Sequence, residues 1–304
     1  MLATAGGASG CHNGAAAAPF GRPDTAPARR IVALAPSITE TLFAIGAGPE
    51  VVGVSQYCDY PPRAARLPRV GTFLTPNLEA IAALRPTLVI GLGGSSDLRE
   101  ARALRALGYG VLMVNEDSLT EIRASIRMIG QRVGRESAAR ALLIQMKRHF
   151  AVVEDRLRGV PVRRVLMVVG HQPMVAVGRG TYLDELITLA HGSNIADAAA
   201  QSWPRLSLEY IIAARPQVIL DGQMGTDGRA KAGFWGRYPE IPAVRDGRIY
   251  GYPQDPTLHP GPRVAESLAL IAARIHPEVF RRYAPRTAPN PDRPAAAARA
   301  EAGD

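Results

Sequence analysis

Aromatic, glycine and polar residues gather in short segments that directly follow apolar runs typical of β-strands. In parallel α/β sheets, ligands bind outside the carboxyl ends of the strands, so these segments are the candidate binding residues. Ring faces supply apolar area and glycines allow close backbone approach, a mixture that suits a large planar or amphipathic ligand. Ser37 and Gly93 become candidates on this ground. The segments are residues 36–37, 56–62, 93–96, 170–173 and 254–259.

His171 and His259 lie in two of these segments and could form an axial metal bond, because imidazole is a common ligand. Neither has a multidentate spacing, so a hydrogen-bonded or exposed histidine is the alternative. Cys58 could bind a metal, but a lone cysteine is more often simply buried. The sequence contains no zinc spacing, nucleophile elbow or phosphate loop. We therefore predict a binding protein without a resident cofactor or metal, and not an enzyme.

Composition places the 304-residue chain among globular proteins, with 47% hydrophobic and 21% charged residues. The net charge of +9 comes from scattered arginines, since Lys147 and Lys231 are its lysines. Phosphate binding needs clustered charge, so we predict no nucleic-acid partner. Apolar runs of about 18 residues, as a membrane span needs, are absent from the sequence.

Cys11 follows small residues, as does the lipid-modified cysteine of bacterial lipoproteins, and a polar, Ala/Pro-rich stretch continues to Arg30. Lipidation of Cys11 would make residues 1–29 a tether and place the protein in the periplasm or on the outer face of a membrane. The apolar segment expected upstream is missing. Either translation starts upstream of Met1, or the similarity to a lipoprotein signal is accidental.

Apolar strand patterns alternate with helical patterns, which predicts parallel sheets covered by helices on both faces. We expect strands at residues 31–35, 51–54, 88–92, 111–114 and 165–169, and a helix at 77–84. Residues 37–40 look like a capping box that starts another helix. Residues 118–157 carry apolar positions at helical spacing and predict one long helix.

An internal repeat gives the domain organisation. Residues 78–90 read LEAIAALRPTLVI, and residues 208–220 read LEYIIAARPQVIL, with six identical positions. This separation exceeds any solenoid period and predicts two similar Rossmann-like lobes joined by a single long helix, with the ligand cleft between them. We expect little closure on binding. The predicted units are a leader at 1–29, lobes at 30–117 and 159–282, a helical link at 118–158 and a disordered tail at 283–304.

Three segments together resemble the periplasmic cobalamin-binding proteins. They are RIVALAPSITE at residues 30–40, VGVSQYCDYPP at 52–62, and NLE at 77–79 with RPTLVI at 85–90. That family belongs to the helical-backbone metal-receptor class, which also binds ferric siderophores and haem. The resemblance covers residues 30–277 and implies the same two-lobed fold. It places ligand contacts, which are mostly aromatic in the family, at Tyr57, Phe73, Leu92, Val175, Trp203 and Asp255.

Glu79 and Glu209 occupy equivalent positions in the repeat, in the first turn of each predicted helix. A carboxylate there stabilises a helix N-terminus by about 0.3–1 kcal/mol, which is the simpler explanation. The resemblance implies docking instead, because family members use one surface glutamate per lobe to bind arginines of a dimeric ABC permease. We predict a monomer that delivers cobalamin or a related corrinoid. The alternatives are haem or a ferric siderophore, and last a bare metal ion.

Overall fold

The computed structural model describes residues 29–72, 74–93, 97–222 and 232–280 of the 304-residue chain. Two sheets lie on either side of a helical link. The first sheet has the strand order β2-β1-β3-β4 and is entirely parallel. Its strands are β1 (Ile31–Ala33), β2 (Val51–Val54), β3 (Leu88–Leu92) and β4 (Gly110–Val114).

The second sheet is built around β5, which pairs in parallel with β7 and β8, while β9 pairs in parallel with β8. The short strand β6 folds back antiparallel onto the end of β5. The strands are β5 (Arg163–His171), β6 (Met174–Ala176), β7 (Gly192–Asn194), β8 (Val218–Asp221) and β9 (Ile249–Tyr250).

Helices cover both sheets and join the lobes. The first lobe has α1 (Pro36–Ala44), α2 (Leu78–Ala83) and α3 (Asp97–Ala106), and the link has α4 (Leu119–Arg132) and α5 (Glu136–Leu157). The remaining helices are α6 (Tyr182–Leu189), α7 (Leu208–Ala214), α8 (Ala232–Trp235), α9 (Pro242–Arg245), α10 (Gln254–Thr257), α11 (Val264–Ile275) and α12 (Pro277–Phe280). The two-lobed α/β fold predicted from the sequence is confirmed.

The link is two helices, so the prediction of one long helix is wrong. Gly134 ends the first helix with a left-handed φ of +67°, which glycine adopts at little cost. A Cβ on Gly130 would lie 2.5 Å from that of Ala139, so this glycine lets α4 and α5 pack closely. The capping box is also elsewhere: α1 begins after Ala35 without a side-chain cap, whereas Ser118 and Glu121 form a capping box on α4.

The sequence repeat corresponds to a structural repeat. Helix α2 leads to β3 as α7 leads to β8, with Asn77 and Ser207 as the side-chain N-caps. Arg85 and Arg215 both adopt left-handed φ angles, of 45° and 50°, just before a proline. The helix-to-strand units of the two lobes are therefore built alike.

A continuous core connects the lobes. One cluster of buried apolar side chains includes Ile31 and Ile90 of the first sheet, Val165 and Leu220 of the second, and Phe150 of the link. Helix α11 is buried along most of its length and packs against α5 and α6. Within the described ranges, no helix is both long and apolar enough to cross a membrane.

Candidate functional site

A cleft of about 770 Å³ lies between the lobes, at the carboxyl ends of the strands. The first lobe contributes the end of β3 and the turn before α4. The second contributes the ends of β5 and β6, the start of α6, and two loops. The cleft is lined by Leu74, Leu92, Gly93, Glu116, Asp117, Val169, Val175, Gly180, Thr181, Tyr182, Ser202, Trp203, Leu258 and Pro260.

Four of the residues singled out from the sequence meet in this cleft. Leu92 and Gly93 come from the first lobe, and Val175 and Trp203 come from the second. Because they lie on opposite lobes, a ligand that touches both pairs would bridge the cleft. Their role in binding stays a prediction, which this placement favours.

Other predicted contacts lie elsewhere. Ser37 is 1% exposed and sits inside α1, and the structure does not bring it to the cleft surface. Tyr57 is 54% exposed but is likewise outside the described cleft lining. Phe73 and the side chain of Asp255 fall outside the described residues, as do Cys11 and the predicted leader and tail.

Gly93 lies close to the end of β4 and to the side chain of Asn115. Its backbone N–H donates to the Val114 carbonyl at 2.7 Å, which holds the chain beside β4. A Cβ at this position would overlap the side-chain amide of Asn115. The absence of a side chain therefore lets the Asn115 side chain pack closely against the end of β3.

Trp203 has a firmly held backbone and a half-exposed ring. Gly178 donates to the Ser202 carbonyl at 2.9 Å, and Ala176 donates to the Pro204 carbonyl at 3.0 Å. The segment thus runs alongside β6 on both sides of Trp203, whose ring is 48% exposed. A large apolar ring presented on a fixed backbone can stack on a planar ligand without losing much conformational entropy.

Tyr182 lines the cleft and forms a hydrogen bond between the lobes. Its backbone N–H donates to the Asp117 carbonyl at 2.6 Å, and its hydroxyl donates to the Thr257 carbonyl at 2.9 Å. Burial raises the pKa of this phenol far above its ordinary value. The side chain is therefore a neutral, fixed part of the cleft lining.

Glu116 is a buried carboxyl group in the cleft lining, 5% exposed. Burial raises its pKa to about 7; the Ser37 and Ser125 hydroxyls lower it, and repulsion from Glu40 raises it further. Ser125 donates to Oε1 at 2.8 Å. Oε2 has no hydrogen-bond partner among the described atoms. Burial therefore favours the protonated form of Glu116, and hydrogen bonds from the Ser37 and Ser125 hydroxyls oppose this by lowering its pKa.

A buried ion pair joins the lobes behind the cleft. Arg263, just before α11, donates to both carboxylate oxygens of Glu40 on α1, at 2.8 and 2.5 Å. Its guanidinium also lies 4.0 Å from the centre of the Tyr60 ring. His259 Nδ1 is 3.6 Å from Glu40 Oε1. Bidentate pairing with an arginine offsets the cost of burying the Glu40 carboxyl group.

The histidines considered as metal ligands have other surroundings. His171 Nε2 lies 2.8 Å from Asp221 Oδ1, and the Trp235 indole donates to the other oxygen of Asp221 at 2.8 Å. The His171 ring packs edge-on against Phe234. Among the described residues, no group of three or more His, Cys, Asp or Glu side chains is placed to hold a metal ion.

Several lining residues were missed by the sequence analysis, above all Glu116, Asp117 and Tyr182. Glu116 and Asp117 follow β4 just as Gly93 follows β3, so the rule that ligands bind at strand ends could have found them. Tyr182 had no comparable signal. It reaches the cleft through the antiparallel return of β6, which the sequence pattern did not reveal.

Glu79 and Glu209 are both exposed at the starts of α2 and α7. Backbone hydrogen bonding and the Ser207 hydroxyl lower the pKa of Glu209 below its usual value. That carboxylate is therefore charged at neutral pH and open to a partner. Neither residue belongs to the described cleft lining.

Two similar α/β lobes, a helical link and a cleft at facing strand ends define a two-lobed ligand-binding clamp. The chain belongs to the periplasmic binding protein family, whose sequence profile matches residues 31–256. The family expectation drawn from the sequence is thereby confirmed.

Individual relatives fit this assignment. The vitamin B12-binding protein of Salmonella paratyphi A is 31% identical over 218 residues, covering 71% of this chain and 81% of that protein. An uncharacterized ABC transporter substrate-binding lipoprotein of Bacillus subtilis is 31% identical over 267 residues, covering 83% of this chain and 82% of that protein. The apo structure of a periplasmic heme-binding protein from Roseiflexus sp. RS-1 matches with a TM-score of 0.73 and 30% sequence identity. The match covers 83% of this chain and 99% of that chain.

Proposed function

We propose that this protein captures cobalamin or a related corrinoid in its interlobe cleft and delivers it to an ABC permease. The observation that carries the proposal is the cleft itself, which joins Leu92 and Gly93 of one lobe to Val175 and Trp203 of the other. Its volume of about 770 Å³ lies within the range of roughly 300–1,000 Å³ usual for small-molecule sites. Apolar walls with a few polar groups suit a macrocycle that has polar side arms.

Haem or a ferric siderophore is the second candidate. The similarity to a heme-binding protein at 30% identity favours it, and so do the aliphatic residues Leu92 and Val175 in the lining. Corrinoid ranks first because the vitamin B12-binding protein of Salmonella is 31% identical over most of its length. The macrocycle is cargo in either case, and we propose no resident cofactor.

The ligand can be identified from absorption spectra. The purified protein is incubated separately with cyanocobalamin, haemin and a ferric siderophore, then desalted. We expect the corrinoid spectrum to be retained at one ligand per chain. Retention of haemin or siderophore without cyanocobalamin would establish the second candidate, and loss of all three would overturn both.

We also propose that the ligand is released unchanged, so that the protein is a carrier and not an enzyme. Membership of the periplasmic binding protein family and the similarity to an ABC transporter substrate-binding lipoprotein support this proposal. Prolonged incubation with cyanocobalamin and haemin should return each compound intact by chromatography. Formation of a metal-free or otherwise altered macrocycle would contradict the proposal.

Delivery to a permease places the protein outside the cytoplasmic membrane, as a monomer that is either free in the periplasm or anchored through Cys11. The lipoprotein relative in Bacillus subtilis supports the anchored form. Fractionation of cells that express the protein from its native gene should place it with the membrane, and Cys11→Ala should release it. Size-exclusion chromatography with light scattering checks the monomer.

A further inference from the structure

The helical link carries most of the net positive charge of the protein. Between Ile122 and Val153 the sequence has seven arginine or lysine residues and one acidic residue, Glu136. With histidine neutral, the net charge of this segment is +6, against +9 for the whole chain. The segment lies within α4, α5 and the turn between them. Arginines that look scattered along the sequence are therefore concentrated in one part of the fold.

One side of α5 presents basic and apolar side chains to solvent. Arg140, Lys147 and Arg148 are exposed at helical spacing, and Ile144 and Val152 lie on the same side, each nearly half exposed. No ion pair joins these three basic side chains to another residue that the structure describes. The opposite side of the helix is buried in the core. We name these five residues the basic face.

The basic face lies at the end of the molecule away from the cleft. Arg135, directly before α5, pairs with Glu50 at 2.8 Å, and Glu50 directly precedes β2. After α5, the Val160 carbonyl lies 3.2 Å from Nδ1 of His191, which directly precedes β7. Both ends of α5 are therefore beside the amino ends of strands, whereas the cleft lies at the carboxyl ends. Ligand capture leaves the basic face uncovered.

The chain that precedes the fold enters at this same end. Ile31 begins β1 and pairs with Val51, the residue after Glu50. Even fully extended, the stretch from Cys11 to Arg29 spans at most about 60 Å. A lipid on Cys11 would therefore hold this end of the fold, and the basic face with it, within reach of a membrane surface.

We propose that the basic face binds anionic phospholipid headgroups of the membrane to which the protein is anchored. The inference goes beyond the proposed function and rests on its placement of the protein outside the cytoplasmic membrane, not on the identity of the ligand. Unpaired arginine and lysine side chains are attracted to the negative surface of anionic lipids. Ile144 and Val152, exposed among them, add apolar contact at the boundary of the acyl chains, as in helices that lie on a membrane.

Ligand capture and delivery then require opposite orientations of the protein on the membrane. Helices α2 and α7 lead into the amino ends of β3 and β8, so Glu79 and Glu209 at their starts lie toward the cleft end. With the basic face on the lipid, the cleft opens away from the membrane and receives ligand. Docking of the two glutamates on a permease turns the cleft toward the membrane, so it excludes lipid binding through the basic face.

Vesicle flotation tests the inference, with the full chain carrying Cys11→Ala in every arm so that no attached lipid contributes. One set of vesicles contains equal parts of phosphatidylglycerol and phosphatidylcholine, and the other contains phosphatidylcholine alone. We expect the anionic vesicles to bind at least about ten-fold more tightly, and added salt to remove this difference. Arg140→Gln combined with Lys147→Gln and Arg148→Gln should weaken binding to the anionic vesicles by about ten-fold.

The matched control is Arg99→Gln combined with Arg102→Gln and Arg105→Gln. It removes the same charge from exposed positions of α3, which packs on the opposite face of the first sheet from the link. Binding to anionic vesicles should fall by less than about three-fold. Ile144→Ser combined with Val152→Ser should weaken binding by about three-fold and leave its salt dependence unchanged, because the apolar contact carries no charge.

Three results would overturn the inference. They are equal binding to both kinds of vesicle, equal losses for the two triple variants, and tighter binding to duplex DNA than to anionic vesicles at the same phosphate concentration. The last would make the basic face a general polyanion site. Circular dichroism checks the folding of each variant. If the α5 triple variant is unfolded, Lys147→Gln alone should still weaken vesicle binding by about two-fold or more.

Failure of the inference is distinct from failure of the proposed function. The vesicles are tested without cyanocobalamin, so their binding is decided whether or not the cleft takes a macrocycle. The α5 triple variant should bind cyanocobalamin as tightly as the chain with α5 unchanged, because the basic face lies at the far end from the cleft. A parallel loss of vesicle and cyanocobalamin binding would show a general structural defect and would overturn the assignment of α5 to lipid.

Discussion

Trp203 presents a half-exposed ring from a backbone held on both sides by hydrogen bonds to the β6 region. Trp203→Ala removes a stacking face and should weaken ligand binding by about 1 kcal/mol or more. The melting temperature should change little, because half of the side chain is already exposed and backbone hydrogen bonds hold the segment on both sides. Isothermal calorimetry measures the affinity, and unchanged affinity would make Trp203 a surface residue without a role in binding.

Tyr57→Ala is the comparison variant, since Tyr57 is similarly exposed but lies outside the described cleft lining. Because Tyr57 lies outside this lining, the structure predicts a smaller loss of ligand affinity for Tyr57→Ala than for Trp203→Ala. The resemblance to cobalamin-binding proteins predicts a comparable loss. The ratio of the two losses therefore shows whether the ligand extends beyond the cleft floor toward the segment after β2.

Glu116 also determines how stability depends on pH. Folding raises its pKa from 4.5 to about 7, so the folded chain holds this proton more tightly than the unfolded chain. Stability therefore falls as the pH rises between those values, and the loss is complete above them. Glu116→Gln should raise the free energy of unfolding at about pH 8 by about 1–3 kcal/mol and leave it unchanged near about pH 4.5.

Urea unfolding across this pH range measures the effect, with Asp117→Asn as an exposed carboxyl control that should leave the profile unaltered. An equal gain for Glu116→Gln at all pH values would indicate better packing and not the loss of a buried charge.

Sequence alone could find the cleft residues that follow regular parallel strands, such as Leu92 and Gly93. It could not find Tyr182, because β6 turns antiparallel against β5 and redirects the chain. The contact of Ser37 with a ligand stays a prediction, and the structure buries this residue in the first turn of α1, outside the described cleft lining. Whether a residue at a strand end is buried depends on which other elements pack over it. Those elements are distant in the sequence, so a local pattern does not reveal them.

Among the elements, α1 and α11 are joined by the buried pair of Glu40 and Arg263. Arg263→Met leaves a buried carboxylate without its main partner and should destabilise the protein by about 3–5 kcal/mol. The double change of Glu40→Leu with Arg263→Met should recover most of that loss. Thermal and urea unfolding of the single and double variants measure the coupling.

An exposed pair gives the matched control. Arg158 and Asp155 are 82% and 61% exposed and pair within one turn at 2.7 Å. Arg158→Met should cost less than about 1 kcal/mol, because solvent screens the interaction. Similar losses for Arg158→Met and Arg263→Met would mean that the interlobe pair contributes no more than a surface contact.

The linking elements show why a periodic pattern can give the correct element type and the wrong number. Residues 119–157 are helical almost throughout, as the apolar spacing predicted. The break depends on the left-handed φ of Gly134 and on the close contact of Gly130 with Ala139. Both glycine features fold α5 back on α4, and the periodicity of apolar residues does not reveal them.

Two packed helices, the Tyr182–Asp117 backbone hydrogen bond and the Glu40–Arg263 pair all connect the lobes. We therefore expect only small closure on ligand binding. Small-angle X-ray scattering of the protein with and without bound macrocycle should give closely similar curves. A clear decrease in the radius of gyration on binding would contradict this rigidity.

At the scale of the whole molecule, the repeat visible in the sequence also determines the hydrogen bonds that join strand to strand. The Arg30 backbone N–H donates to the Thr87 hydroxyl at 3.2 Å, and that of Arg164 donates to Gln217 Oε1 at 2.9 Å. The two lobes thus reproduce the same strand entry with different side chains. The repeat itself was predictable from its six identical positions. The matching bonds of Thr87 and Gln217, which differ between the repeats, and the shape of the cleft were not.

The same symmetry gives the last prediction. Glu79 and Glu209 occupy equivalent, exposed helix starts, one on each lobe, so a two-fold permease could bind both with one kind of basic site. Charge-assisted hydrogen bonds there would fix orientation as well as contribute affinity. Glu79→Ala combined with Glu209→Ala should abolish uptake of labelled cyanocobalamin in cells, and each single change should reduce uptake less.

Ligand affinity of the purified double variant should equal that of the wild type, because neither carboxylate belongs to the described cleft lining. Glu136→Ala serves as the control, since it removes a first-turn glutamate from α5 of the link, and it should leave uptake intact. Normal transport by the double variant would show that both glutamates only stabilise helix ends. A loss of ligand affinity in solution would show that they belong to the binding site. Loss of uptake with intact ligand affinity would show that delivery to the permease and capture of the ligand depend on different surfaces of the protein.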